Sequence, residues 1–184
     1  MLSTRYFSIL ISSLLATHAT AGVLSKRACN IVDTVQHTFY GFPDNDPPGP
    51  ATAYDCGRDF VAGGIGTFED PLSMASAEGQ FEECEVVYVP YLKKYARYED
   101  YCQQCTDDWA LGIHHIDIWT GSPDRNGGDS QIECENSLTP DNSLSIIRNP
   151  ASDLEVDAAV LFDPATGFCD ISRVNPTFNA GDFC

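Results

Sequence analysis

Apolar and polar positions alternate most cleanly over residues 113–119 (IHHIDIW), with Ile113, His115, Asp117 and Trp119 on one side and His114, Ile116 and Ile118 on the other. A strand with this pattern turns Ile116 and Ile118 into a core. It leaves His115, Asp117 and Trp119 together on the opposite, solvent-accessible face. Residues 35–40 (VQHTFY) are β-branched and aromatic and predict the first strand. Residues 86–90 and 95–101 predict two more on either side of Leu92-Lys93-Lys94, and in the second of these Tyr98 and Asp100 share a face. Residues 72–77 predict a short strand or turn, while 144–147 and 158–162 are short apolar runs, one of which is a helix candidate.

Between these runs the chain is punctuated by turn chemistry. Residues 41–50 (GFPDNDPPGP) hold four prolines and two glycines, which excludes helix and central strand and predicts a rigid loop. Asp44, Asn45 and Asp46 in that loop are suited to capping their own backbone amides. The glycines of 63–66 (GGIG) precede no Lys-Ser/Thr pair, so close backbone approach fits them better than a phosphate cradle. Residues 121–129 read as a polar turn and 167–184 as loop with cysteines. Strands outnumber helical patterns, which predicts a mainly β, small, disulfide-stapled barrel.

The amino terminus carries an export signature: Arg5, an apolar run over 6–16, and Ala19-Thr20-Ala21 as a small-x-small cleavage site. Residues 22–27 end in Lys26-Arg27, similar to kexin-type processing sites of secreted fungal proteins, so the expected layout is signal peptide 1–21, propeptide 22–27 and one domain over 28–184. Cys29, Cys56, Cys84, Cys102, Cys105, Cys134, Cys169 and Cys184 all lie in that domain, an even count that predicts four disulfides in a secreted chain. Their pairing is one of roughly a hundred possibilities, with Cys29 and Cys184 placed to tie down the two ends. Lys and Arg number 10 against 27 Asp and Glu, a net charge of −17. That surface repels phosphate backbones and anionic lipid, so neither nucleic acid nor a membrane is an expected partner; uncharged or cationic substrates are, met by a monomer.

His115 and Asp117 on one strand face beside the Trp119 ring form a candidate sugar site. The indole would stack on a pyranose, and a partly desolvated Asp117 would have its pKa raised and could protonate a glycosidic oxygen. Hydrolysis needs a second carboxylate, for which Asp44, Asp46 and Asp100 are candidates. The competing interpretation is an ordinary buried polar network with Trp119 as core. Cys102-Gln103-Gln104-Cys105 is expected to be structural, bridged locally or to two other strands, since no second Cys-x-x-Cys completes a zinc site. His37, His114, His115 and Asp117 do not converge, because adjacent histidines on a strand face opposite ways. No metal or cofactor is expected, and no Gly-x-Ser-x-Gly elbow is present.

Thr38-Phe39-Tyr40-Gly41 resembles the opening strand of expansins, and His115-Ile116-Asp117 is similar to their His-Phe-Asp motif. Both motifs lie in a double-psi β-barrel that expansins share with family 45 glycoside hydrolases. The resemblance implies a small six-stranded double-psi β-barrel with disulfide-stapled loops and an action on cell-wall polysaccharide. Asp117 would be the general acid, Asp44 would sit near the base position, and Tyr40 would be a sugar-contacting ring. Apart from the resemblance, His115 and Trp119 on their strand face and Tyr98 among the tyrosines are further candidate sugar contacts, with barrel packing the alternative for Tyr98. Glu99-Asp100 followed by Ile116-Asp117-Ile118-Trp119 also resembles barrel domains of lytic transglycosylases, which implies peptidoglycan as substrate, Asp117 as catalytic residue and Asp100 in a structural or polarising role. Expansins lack the base and do not hydrolyse, so the alternative is a non-catalytic glycan-binding protein or a secreted effector.

Overall fold

A computed structural model describes residues 29–184; the leader and propeptide expected at the amino terminus lie outside the described residues. Six strands close into a barrel: β1 (Asn30–Gly41), β2 (Leu72–Ser76), β3 (Val86–Val89), β4 (Lys94–Tyr101), β5 (His114–Thr120) and β6 (Leu144–Arg148). Around the barrel the order is β1-β5-β2-β4-β3-β6. The pairs β1/β5 and β2/β4 are parallel, and antiparallel ladders join the rest. The double-psi β-barrel that the motifs implied is present, with no open edge strand among the six.

Alternation along each strand decides what fills the barrel. Val35, Phe39, Met74, Val87, Ile116 and Ile118 point inward and are buried, as the pattern of residues 113–119 required for its two isoleucines. His37 also points inward, with Nδ1 2.9 Å from the Val35 carbonyl and Nε2 without a protein partner. Burial lowers its pKa from 6.5 to about 4, so the ring is neutral inside the barrel near pH 7.

Two helices lie outside the barrel, α1 (Gln103–Trp109) against β5 and α2 (Gly128–Leu138) against β1. Neither stood out in the hydrophobic pattern, and the two apolar runs considered for helix are not helical. Residues 144–147 belong to β6, and 158–162 run irregularly into β7 (Phe162–Asp163), which pairs with β8 (Phe168–Cys169). The buried stripe of α2 is Gln131, Cys134, Glu135 and Leu138. Its spacing is helical, but half of it is polar, which hides it from a reading of apolar periodicity.

The four disulfides pair Cys29–Cys184, Cys56–Cys84, Cys102–Cys105 and Cys134–Cys169. The first joins the ends of the described chain, the third is local, and the last fixes α2 to β8. Among the described residues no helix is long and apolar enough to cross a membrane. Bridges closing long loops act mainly on the unfolded chain. Replacing Cys29 and Cys184 together by alanine should therefore lower unfolding stability by about 2–5 kcal/mol. A denaturant midpoint identical to wild type would contradict this.

Candidate functional site

The outer face of the β1/β5/β2/β4 sheet carries the carboxyl groups. Register places Thr38 opposite Asp117, Asp117 opposite Ala75, and Ala75 opposite Asp100, one row across four strands. Asp100 reaches this face because the β2/β4 register slips between Met74 and Ala75, leaving Glu99 as an extra residue in β4. Such a bulge breaks the in-out alternation. Tyr98 stays inside the barrel, while Glu99 and Asp100 both turn outward. The expectation that Tyr98 shares a face with Asp100 and contacts sugar is therefore corrected: Tyr98 is core, its hydroxyl 3.3 Å from that of Tyr54.

At the centre of the row, the Thr38 hydroxyl lies 2.8 Å from Asp117 Oδ1 and 2.9 Å from His115 Nε2. His115 Nδ1 in turn lies 2.7 Å from Asp108 Oδ2, on α1. Take Asp108 as a carboxylate, so that Nδ1 carries a hydrogen. Two proton placements then satisfy the chain. In one, protonated Asp117 donates to Thr38, whose hydroxyl donates to Nε2. In the other, Nε2–H donates to Thr38, which donates to ionised Asp117. In either placement the hydroxyl joins the carboxyl to the imidazole in one hydrogen-bonded chain. Burial pushes the Asp117 pKa up to about 7; the Thr38 hydrogen bond opposes this, and the charges of Asp44 and Asp100 add to it.

Asp100 is anchored separately. Its Oδ2 accepts from the Tyr40 hydroxyl at 3.0 Å, and its Oδ1 accepts from the amides of Ala53 and Tyr101, each at 2.9 Å. Burial raises its pKa and these bonds pull it back. Burial and the charge of Asp100 push the Tyr40 hydroxyl far up, so it stays protonated and donates to Asp100. The small side chain of Ala75 lies between Asp117 and Asp100 in the row, leaving space above the sheet for Tyr40 to reach across.

Asp44 folds back from the proline-rich loop, its Oδ1 accepting the Gly41 amide at 2.9 Å. Asn45 holds that loop by donating to the carbonyls of Gly49 and Ala51, both at 2.9 Å. Gly41 is hemmed in by α2: a Cβ there would fall 1.9 Å from Gln131 Nε2 and 2.6 Å from Glu135 Oε1. Only a residue without a side chain lets β1 pass this close to the helix. Glu135, which the sequence reading passed over, is 3% exposed, and no donor of the protein bonds either of its carboxyl oxygens. Its pKa is pushed up to about 9 by burial first and by the charge of Asp44 next.

The face is not the open one expected of alternating residues. His115 and Trp119 are buried, as is Tyr40, whose ring meets Trp119 edge-on at 5.3 Å. The disulfide Cys102–Cys105 and Ala62 pack over them, with Phe42 and Trp109 partly buried at the border. Trp119 is thus a packing ring, not a sugar platform, and its indole Nε1 has no protein partner. The structure brings Asp117, Asp44, Asp100, Tyr40 and His115 together and leaves Tyr98 out. It adds Thr38, Asp108 and Glu135. Thr38 lay within a quoted motif, whereas Asp108 follows the Cys-x-x-Cys and Glu135 lies in the polar half of the α2 stripe.

Because the Thr38 hydroxyl favours the ionised form of Asp117, Thr38→Val should move the Asp117 pKa above about 7. Carbon-detected NMR titration of the Asp117 carboxyl reads this directly, and an unmoved pKa would show that the contact carries no proton coupling.

The model of a protein family described as the DDB_G0273701 N-terminal domain matches residues 32–170, from β1 through β8. The Dictyostelium discoideum protein named uncharacterized protein DDB_G0273701/DDB_G0273221 is 36% identical over 137 residues. That match covers 74% of this chain and 59% of the relative, so the chain spans about three-fifths of that protein's length. No solved structure matches. The family match includes every residue of the site from Thr38 to Glu135, and the chain belongs to the DDB_G0273701 N-terminal domain family.

Proposed function

We propose that the protein is secreted and acts on cell-wall glycan, cleaving a glycosidic bond of a polysaccharide or of peptidoglycan with Asp117 as general acid. One observation carries this reading: Asp117 is a partly buried carboxyl with its pKa raised to about 7, and it is hydrogen-bonded through Thr38 to His115. A general acid works best when its pKa lies near the working pH. Asp117 gives its proton to the leaving glycosidic oxygen, and the His115–Thr38 path returns one. Asp108 orients the imidazole. Asp44 is the second carboxyl, since its charge acts on Asp117 and its loop holds it toward the same end of the face. Asp100, bonded by Tyr40 and two amides, adds a fixed negative charge that favours the protonated form of Asp117.

The fully paired cysteines support export, because disulfides persist in oxidising compartments. Charge narrows the ligand. Among the described residues Arg58, Arg97, Arg148, Arg173 and Lys93 are ion-paired, and the Lys94 ammonium is enclosed by the carbonyls of Ile65, Asp157 and Ala159. Little free positive charge remains to receive an anion, which favours an uncharged glycan strand.

The test is product release from peptidoglycan, cellulose, mixed-linkage glucan and chitin by residues 28–184, as wild type and as Asp117→Asn. Loss of a general acid typically costs about 10²–10⁴-fold. Release by wild type that falls by that factor in the variant is the expected result. Binding to one polymer by both proteins, with release by neither, would replace cleavage with a non-catalytic glycan-binding role. Neither release nor binding would leave an effector with another target.

A further inference from the structure

We infer that Glu135 and Asp44 form one proton-sharing carboxyl pair, with Glu135 as the residue that positions Asp44 at the site. Three observations converge on this. Both oxygens of Glu135 are buried and lack a donor, which an ionised carboxylate does not tolerate. Asp44 is the charged group that acts on Glu135 most strongly, and two neighbouring carboxyls bond only through a proton held between them. Gly41 leaves the space that both groups occupy: its amide bonds Asp44, and a Cβ on it would collide with Glu135.

Asp44 acts on Glu135 from the loop after β1 and Asp117 from β5, both negative. Gln131, one turn earlier on α2, pulls the other way and favours the ionised form. Its Nε2 donates to the Thr120 carbonyl at 2.8 Å, and its Oε1 accepts the Gly127 amide at 3.0 Å. Arg173, on a 3-10 turn packed against α2, is bound by Asp157 and Asp170. The Gln131 amide is outweighed by burial and by the neighbouring carboxyls. Burial and the Asp44 charge raise the Glu135 pKa to about 9, so it keeps its proton across the neutral range.

The arrangement gives Asp44 two donors, the Gly41 amide and the Glu135 carboxyl, and leaves its exposed side to the solvent. In the cleavage reading, on which this role rests, the attacking water loses its proton to Asp44 as Asp117 protonates the leaving oxygen. The Asp44 proton then passes to solvent, and the Glu135 proton stays in place throughout. Glu135 is therefore a positioning residue that acts through Asp44.

Two measurements separate the pair from the cleavage reading. Carbon-detected NMR titration of the Glu135 carboxyl in wild type and Asp44→Asn needs no substrate. The expected result is a midpoint near 9 in wild type and a lower one in the variant. An ordinary carboxylate midpoint in wild type, or one unmoved by Asp44→Asn, would overturn the pair. Stability checks the sign: a pKa raised from 4.5 to about 9 means stability falls as pH rises through that window, and Glu135→Gln should flatten the fall. An equally steep fall in the variant would overturn the proposal. On a cleaved substrate, Glu135→Gln should change the pH dependence of kcat/KM on its low-pH side, with Glu135→Asp partly restoring it. A uniform loss at every pH would mean a merely structural role. If no substrate is cleaved, the titration still decides the pair.

Discussion

The hydrogen bond between Thr38 and Asp117 is the constraint on which the site depends. It joins β1 to β5 across a parallel pair, at a point where register puts the two residues directly opposite. A shift of either strand by one residue would send Asp117 into the barrel and Ile116 out of it. The inward isoleucines therefore fix the position of the outward carboxyl, and hydrophobic packing on one side sets the chemistry on the other. His115 and Asp108 extend the link to α1, while Ala75 leaves space for Tyr40 to reach Asp100.

The outer face sorts its buried acids by what surrounds them. Glu99, 1% exposed, meets Arg58, Arg97 and the Ser73 hydroxyl, so its negative charge is compensated within the fold. Asp117 and Glu135 have no such cation and instead face other carboxyls, which favours their protonated forms. Breaking a compensated buried charge is costly, whereas a carboxyl held neutral remains available for proton transfer. The strand bulge turns Glu99 and Asp100 outward side by side, Glu99 held by arginines and Asp100 by the Tyr40 hydroxyl and two amides. One structural role and one candidate chemical role thus sit on consecutive residues.

The barrel was legible because its strands obey alternation: residues 113–119 predicted β5 and its inward isoleucines. The motif around Thr38 and Tyr40 carried the first strand and the barrel class. The bulge was not legible, since register slips arise from pairing with a distant strand, and without it simple alternation puts Tyr98 and Asp100 on one face. Exposure also failed. Alternation says which residues point outward, not what later covers them, and α1 with the loop over Ala62 buries Trp119 and His115. Glu135 escaped notice because a carboxyl at a helix stripe position reads as surface until the fold places it on Gly41. Local periodicity gave the strands, and long-range packing made the site.

The pH dependence of glycan cleavage by the wild-type protein tests the account most directly. If Asp117 is the acid, kcat/KM on the cleaved polymer should decline above an apparent pKa near 7, where Asp117 loses its proton. Thr38→Val should move that decline to higher pH, because the hydroxyl favours the ionised form. A profile that is flat through this region, or one that Thr38→Val leaves in place, would contradict the assignment of Asp117 as general acid.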